Sequence, residues 1–461
     1  MFKESFVDGI LRRIKKVVPR RVFDFFAPFY HVALAYAGAI LYGFPSQSMK
    51  VIGVTGTKGK STVTFLVSKI LEANGDNVAA IGSLGFKIKD KEWPNTLKMT
   101  MPGRFKLQRF LYEAKKVGCR YVVLEVTSEG IKQKRHLGIK FDCAVFTNLH
   151  KEHLESHGSF ENYYKAKQEL FRRTQNIHVI NADDPNAELF SKFPSNRTIF
   201  YGINRGDIKA LDLNVGSDKS SFNVYGTEFR INFGGEFNVL NVLAALSVAA
   251  MYKIDLPSAK PVLESIKSIP GRMEFIPAFV KTSAGEAKRF NVVVDYAHTP
   301  DSLEAVYRTL RENMKAHPSH EASEGKTQTS KLVCVLGAAG GGRDKWKRPE
   351  FGRIASEYCD EIILTDEDPY DENPKTIIED IMKGFSSQIP NSKSQIPNNN
   401  QISKSQTILD RKEAIKKALT DAREGDTVII TGKGSETSMA VAGGKKIPWS
   451  DKAVIQGLLQ E

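Results

Sequence analysis

A chain of 461 residues exceeds what one hydrophobic core organises, so two or three domains are expected. Its 41% hydrophobic and 26% charged residues are ordinary globular values. The formal charge of +13 is dispersed and lacks an aromatic-basic module, which argues against a nucleic-acid partner and for nucleotide and acidic substrates.

Residues 1–48 form a basic and apolar segment, predicted to be helical. Arg12, Arg13, Lys15, Lys16, Arg20 and Arg21 precede an apolar aromatic run from Phe25 to Gly43. Three readings stand side by side. The run after Pro28 is short for a spanning helix and contains His31. A basic stretch followed by aromatics suits an interfacial helix on an anionic leaflet. The third reading is a helix packed on the first strand of the next domain.

That strand, from Val51, leads into Gly53-Val54-Thr55-Gly56-Thr57-Lys58-Gly59-Lys60-Ser61-Thr62 and then a helix-prone stretch to Glu72. Strand, glycine-rich loop and helix together predict a phosphate site. Glycines let the backbone amides curl around an anion, and the helix N-terminus adds its dipole. Lys60 would reach the terminal phosphates and the Ser61 hydroxyl would ligate Mg²⁺. The spacing is one residue longer than the common G-x-x-x-x-G-K-[ST] form. ATP binding is the first expectation.

From Met49 to about Lys267, β-branched runs alternate with helical stretches, as in a parallel α/β sheet. The expected strands are 51–55, 78–81, 121–126, 143–147, 178–181 and 198–201, followed by short hairpin strands over 211–233 and a helix over 237–252. Pro270-Gly271-Arg272 marks a hinge. Beyond it a second α/β pattern has strands at 291–295, 332–336, 361–365 and 427–431. The polar stretch 317–330 and the near-repetitive 386–406 look like insertions, the latter a disordered surface loop. Cys119, Cys143, Cys334 and Cys359 lie far apart without a C-x-x-C pair. That predicts a reducing cytoplasm, with neither a disulfide framework nor a zinc site. No small-residue cleavage site follows an early apolar run, so no signal peptide is expected.

Chemistry-bearing groups cluster at strand ends. Glu125 closes a strand beside the glycine loop, where a nucleotide's Mg²⁺ is normally held. His150 and His153 follow the next strand; either could be a ligand, a base or a plain loop residue. Lys165 and Lys167 on the helix 163–171 read by default as a solvated face. Asp295 to Asp301, Gly337 to Lys345 and Gly432 to Glu436 end strands of the second domain in the same way.

In this order, these residues resemble the Mur ligase family, the ATP-dependent amide-forming enzymes of peptidoglycan precursor synthesis. Within it the nearest pattern is that of the tripeptide synthetases. The resemblance runs from about Val51 to the C-terminus. It is carried by Gly53–Thr62, Glu125–Ser128, Phe146–Leu149, His153-Leu154, Tyr164–Lys167, Asn181–Pro185, Phe237–Asn241, Pro270–Glu274, Asp295–Asp301, Gly340–Pro349 and Gly432–Glu436. It implies a central P-loop-type parallel-sheet ATPase domain over 49–270 and a smaller Rossmann-like α/β domain over 271–461. By resemblance, Gly56, Thr57, Lys58, Gly59, Lys60, Ser61 and Thr62 would hold the phosphates. Ser61 and Glu125 would bind one Mg²⁺; His153 and Lys167, the latter carbamylated, would bind a second. Asn238 and Asn241 would lie near adenine, with Arg272 and Asp295 also on the nucleotide. Thr100 and Ser128 would meet the muramoyl-peptide acceptor, and Arg343, Asp368, Gly432 and Glu436 the free amino acid.

Several positions depart from the family pattern. With Val51 opening the first strand, the N-terminal uridine-nucleotide domain is expected to be absent, which leaves UDP-linked and lipid-linked acceptors both open. Thr100-Met101-Pro102 stands for a threonine pair, and Glu129 and Ser435 replace frequent histidines. Glu367-Asp368-Pro369-Tyr370 lacks the arginine that reads a diaminopimelate carboxylate; Asp368 with Glu436 would suit a cationic side chain. The leading expectation is a monomeric cytoplasmic ligase, with contact to the inner face of the membrane open. The alternatives are a Mur-like ligase or amidating subunit acting on a lipid-linked or other glutamyl acceptor, and a P-loop ATPase without ligase activity.

Overall fold

The computed structural model describes residues 20–95, 99–152, 154–281, 287–316, 330–342, 344–385 and 405–460. Contacts divide the chain into two units. One comprises Met1–Leu149, Ser159–Lys209 and Leu240–Val262; the other comprises His150–Gly158, Ala210–Val239 and Leu263–Glu461. The chain therefore passes between units several times.

The first unit is built on a nine-stranded sheet. Its strands are β1 (Lys50–Thr55), β2 (Val78–Gly82), β3 (Gly85–Ile88), β4 (Lys91–Trp93), β5 (Tyr121–Glu125), β6 (Phe141–Phe146), β7 (Ile177–Asn181), β8 (Arg197–Gly202) and β9 (Ile208–Lys209). They lie in the order β4-β3-β2-β5-β1-β6-β7-β8-β9. Pairing is parallel except at the β2-β3-β4 edge, whose two antiparallel strands the alternating pattern did not predict. Residues 51–55 of β1 are all buried, as a parallel strand covered on both faces requires. The strand order reverses at β1, the place where open α/β sheets leave a crevice beyond their C-terminal ends. Register brings the functional ends level, with Val54 beside Glu125 and Thr55 beside Phe146.

Five helices matter in this unit: α1 (Arg20–Leu41), α2 (Lys60–Ala73), α3 (Arg104–Lys116), α4 (Ser128–Lys132) and α5 (Phe160–Arg173). Helix α1 packs against α3, not against the first strand. Ala35 and Ala39 are buried, and Gly38 sits where a Cβ would lie 3.5 Å from Gln108 and 3.6 Å from Phe105. Among the described residues no helix is long and apolar enough to cross a membrane.

The second unit holds an antiparallel three-stranded sheet, β10 (Leu211–Val215), β11 (Ser220–Val224) and β12 (Thr227–Ile231), matching the expected hairpins. Helix α6 (Glu236–Met251) follows it in the chain. The main sheet contains β13 (Glu274–Lys281), β14 (Ala287–Asp295), β15 (Leu332–Leu336), β16 (Glu361–Leu364), β17 (Ser405–Thr407) and β18 (Thr427–Thr431), in the order β13-β14-β18-β15-β16-β17. All its pairs are parallel except β13 with β14. Alternate residues feed two cores. Val293, Cys334, Leu336, Ile362 and Ile429 meet α7 (Pro300–Ala316) and α8 (Lys347–Tyr358). Val292, Val294, Val333, Val335, Val428 and Ile430 meet α9 (Arg411–Asp421) and α10 (Asp451–Leu458).

Two expectations are corrected here. Ser405 and Gln406 belong to edge strand β17, paired with Ile362 and Ile363, so the insertion does not extend to 406; its residues 386–404 lie outside the described residues. The same holds for 317–329. Cys334 and Cys359 form a disulfide with Cα atoms 6.1 Å apart, because β15 and the chain following α8 bring together two residues 25 apart in sequence. The free cysteines, Cys119 and Cys143, are buried.

Candidate active site

The loop between β1 and α2 is shaped by close approach. Gly56 (φ 148°) has no room for a side chain, since a Cβ would stand 1.9 Å from Thr147 Oγ1; at Gly59 (φ 80°) it would stand 2.3 Å from Asn241 Oδ1. The Thr57 amide donates to the Asn148 carbonyl (2.8 Å) and the Lys58 amide to Asn148 Oδ1 (2.8 Å). Those two amides brace the loop against the chain that follows β6. The first amide bond inside α2 is Val63 to Gly59 (2.9 Å), so the amides a phosphate would meet are those of the turn before it. Lys60 lies back across the loop, its ammonium donating to the carbonyls of Gly56 (3.0 Å) and Thr57 (2.8 Å).

Ser61, on the first turn of α2, meets Ser83 Oγ at 2.5 Å. The Ser83 amide in turn donates to Glu125 Oε1 (2.9 Å). Glu125 is buried, and Gly82 leaves it space, because a Cβ there would lie 2.3 Å from Oε1. Two hydroxyls and a carboxylate thus converge beside the loop. They are hard oxygen donors of the kind Mg²⁺ takes. Ser83 carried no signal in the sequence, since a lone serine after a strand is unremarkable.

Lys167 is not on a solvated face. It is 2% exposed, its Nζ donates to the Gly56 carbonyl at 2.6 Å, and it stands 4.5 Å over the Tyr163 ring. Lys165, two residues away, is exposed and paired with Glu161 at 2.7 Å. The helical period accounts for the contrast: Tyr163, Lys167, Leu170 and Phe171 share the inward stripe of α5. Two ammonium groups, from Lys60 and Lys167, therefore share one carbonyl. His153 lies outside the described residues, and among those described no cluster of three His, Cys, Asp or Glu forms a metal site.

Near Thr100, two arginines appear that the sequence reading passed over. Arg135 donates to the Met101 carbonyl and to Gln133 Oε1 (2.6 Å), while Arg104 donates to the Gln133 carbonyl. Neither has a carboxylate within ion-pair range among the described residues, and the Nε of each is buried without a partner. Burial, then the neighbouring charge of Arg135, pushes Arg104 down to about 10. Burial lowers Arg135 as well, with Glu129 opposing. Ser128 starts α4 behind the Thr127 cap and is buried. The only hint in sequence was Gln133-Lys134-Arg135 following Glu125-Val126-Thr127-Ser128.

In the second unit, Lys433 is fully buried and its Nζ reaches Asp368 Oδ1 (2.9 Å), Asp368 Oδ2 (3.0 Å) and Glu436 Oε2 (2.5 Å). The chain's own lysine thus takes the cationic place between Asp368 and Glu436. Gly432 (φ 106°) packs on Glu367, whose carboxyl burial pushes up to about 8, with Arg411 opposing. Arg272 lies 4.4 Å from the centre of the Tyr296 ring, and Tyr296 Oη donates to Glu436 (3.2 Å). Asp295, closing β14, accepts the amides of Met273 (2.7 Å) and Ala297 (2.6 Å), holding the hinge backbone. Asn238 donates to the Gly234 carbonyl at 2.7 Å. Glu152 is buried with His298 Nε2 at 3.5 Å and Lys347 Nζ at 3.7 Å, and Lys347 also pairs with Asp344 at 2.8 Å. Arg343 lies outside the described residues.

Residues 54–249 match the model of the Mur ligase middle domain, and residues 271–434 that of the Mur ligase, glutamate ligase domain. The chain is 35% identical over 434 residues to a UDP-N-acetylmuramoyl-L-alanyl-D-glutamate–2,6-diaminopimelate ligase of Clostridium acetobutylicum, covering 93% of this chain and 82% of that one. It is 35% identical over 454 residues, with the same coverage, to a UDP-N-acetylmuramyl-tripeptide synthetase of Roseiflexus sp.. A solved diaminopimelate ligase of the first kind superposes with a TM-score of 0.55 at 29% identity, over 89% of this chain and 78% of that one.

Proposed function

Since the chain belongs to the Mur ligase family, we propose that it is an ATP-dependent, ADP-forming acid–amino acid ligase that extends a muramoyl peptide in peptidoglycan synthesis. The observation that carries this reading is the grouping of Lys60 over the glycine loop with Ser61, Ser83 and Glu125 at adjoining strand ends. Residues 49–270 are read as the ATP-binding domain and 271–461 as the C-terminal domain.

The acceptor's terminal carboxylate would attack the γ-phosphate of ATP, giving an acyl phosphate and ADP. The amino acid's amine would then attack that acyl carbon and release phosphate, its proton passing to solvent. Lys60 and the turn from Gly56 to Thr62 would hold the transferred group in line and offset its charge. Ser61 and Glu125 would hold a Mg²⁺, which supplies further charge neutralisation when bound. Lys167, carbamylated, would join His153 at a second ion. Support comes from the carbonyl shared by Lys60 and Lys167: two cations repel there, whereas a carbamate on Lys167 would attract Lys60 and offer hard oxygens. Thr100 and Ser128, with Arg104 and Arg135 beside them, would take the anionic acceptor. Arg343, Asp368, Gly432 and Glu436 are assigned to the amino acid, and Asn238, Asn241, Arg272 and Asp295 to the nucleotide. The enzyme would act in the cytoplasm as a monomer, with residues 1–48 in peripheral contact with the membrane.

Phosphate release, measured across amino acids with UDP-linked and lipid-linked muramoyl peptides, tests the reading. Release should require both an acceptor and an amino acid. ATP turnover that ignores both would make the chain a P-loop ATPase without ligase activity.

A further inference from the structure

Helix α1 is apolar on two sides, and among the described residues only one of them is covered. Ala35, Gly38 and Ala39 face α3, and Ala39 also closes on Gly138, where a Cβ would lie 2.6 Å away. The other side carries Phe29, Ala33, Tyr36, Ala37, Ile40 and Leu41, all exposed. Their spacing of i, i+4, i+7, i+8, i+11 and i+12 is a single stripe of one helix, about 18 Å long at 1.5 Å per residue. Phe29 is 72% exposed, Ile40 66% and Leu41 65%. Scattered apolar residues on a surface need no explanation, but an unbroken stripe does.

The surface continues onto α3. Tyr112 is exposed there, its ring 5.8 Å from that of Tyr42. Arg109 and Lys116, one turn before and after Tyr112 on the same side of α3, are exposed cations bordering it. Asp24 is the only acidic residue from Arg20 to Lys50, and Arg12, Arg13, Lys15, Lys16, Arg20 and Arg21 stand at the start of the helix or just before it. An apolar stripe edged by cations fits acyl chains on one side and anionic headgroups on the other.

We propose that the Phe29–Leu41 face of α1 lies in the interface of an anionic phospholipid leaflet, with the helix in the membrane plane and its Ala35–Ala39 side still packed on α3. The proposal rests on the membrane-contact reading above and assigns it a face and a lipid class.

The full-length protein is sedimented with vesicles of phosphatidylcholine alone or mixed with phosphatidylglycerol, alongside a variant carrying Ile40→Glu and Leu41→Glu. The wild type should bind only the anionic vesicles and be released by salt. The double variant should bind at least tenfold more weakly with an unchanged melting temperature. Tyr36→Trp should give an emission blue shift on anionic vesicles, a readout that does not depend on the charged variant folding. A wild type that binds neither vesicle overturns both this proposal and the membrane reading. Anionic binding unaffected by the double variant, with no shift from Tyr36→Trp, overturns the assigned face but leaves contact elsewhere in residues 1–48. Self-association that the double variant abolishes, without vesicle binding, gives the face to a second copy of the chain and overturns the lipid assignment.

Discussion

Replacing Glu367 by glutamine should remove a pH dependence from the stability of the second unit. The side chain is 5% exposed, its Oε2 has no hydrogen-bond partner, and Gly432 presses on it so closely that a Cβ would lie 2.4 Å from that oxygen. Burial pushes the carboxyl up to about 8, with Arg411 opposing, whereas an unfolded glutamate titrates near about 4.3. Between those values the folded chain holds a proton that the unfolded chain has released. Glu367's contribution is therefore complete below about pH 4.3 and lost as pH rises through about 8. Each pH unit inside that window is worth about 1.4 kcal/mol, so going from about pH 5 to about pH 7.5 should cost about 3 kcal/mol. Glu367→Gln keeps the shape and a neutral carbonyl oxygen but cannot titrate. Urea unfolding of both proteins across this range should show the variant gaining on the wild type by that amount. Parallel stability curves would refute the reasoning, because they would mean that the buried carboxyl ionises at its ordinary value.

Lys60→Ala should abolish nucleotide-dependent phosphate release while circular dichroism and melting temperature stay near wild type, since the lost bonds go to loop carbonyls and not to the core; near-normal turnover would reject the assignment. Lys167→Ala should lose most activity and regain part of it with added short carboxylic acids, which can fill the vacated ligand place. Lys165→Ala should be mild, because that side chain is exposed and its pairing with Glu161 is an exposed one. A damaging Lys165 change beside an active Lys167→Ala would put the second ion on the wrong lysine.

What could be read from the sequence was whatever chemistry is local. Three evenly spaced glycines before Lys60-Ser61, buried β-branched runs and the carboxylate closing β5 each announce themselves within a few residues, and the sheet built from them has the expected parallel core. The edge strands β3, β4, β13 and β17 were missed because they are held by neighbours and have no strong period of their own. Ser83, Arg104 and Arg135 went unseen for a related reason: their roles come from converging on Glu125 or Gln133, not from spacing. The disulfide is the clearest failure. Sequence separation suggested isolated thiols, but a parallel crossover returns Cys359 to the strand carrying Cys334.

The phosphate loop itself shows how a local signal and its tertiary setting combine. Its extra residue relative to the common spacing has a structural use, since Thr57 and Lys58 turn their amides to Asn148 while Thr147 accepts no side chain at Gly56. The Thr147 hydroxyl donates back to the Lys58 carbonyl (2.6 Å), and Asn181 donates to the Thr147 carbonyl (2.7 Å). The end of β6, fixed by β7, therefore moulds the loop that follows β1. A glycine-rich turn held only by itself would sample many shapes and lose more entropy on binding an anion. Here the sheet has already met most of that cost. The same bracing explains why both lysines can sit on the Gly56 carbonyl: the peptide they share is held in place from its other side.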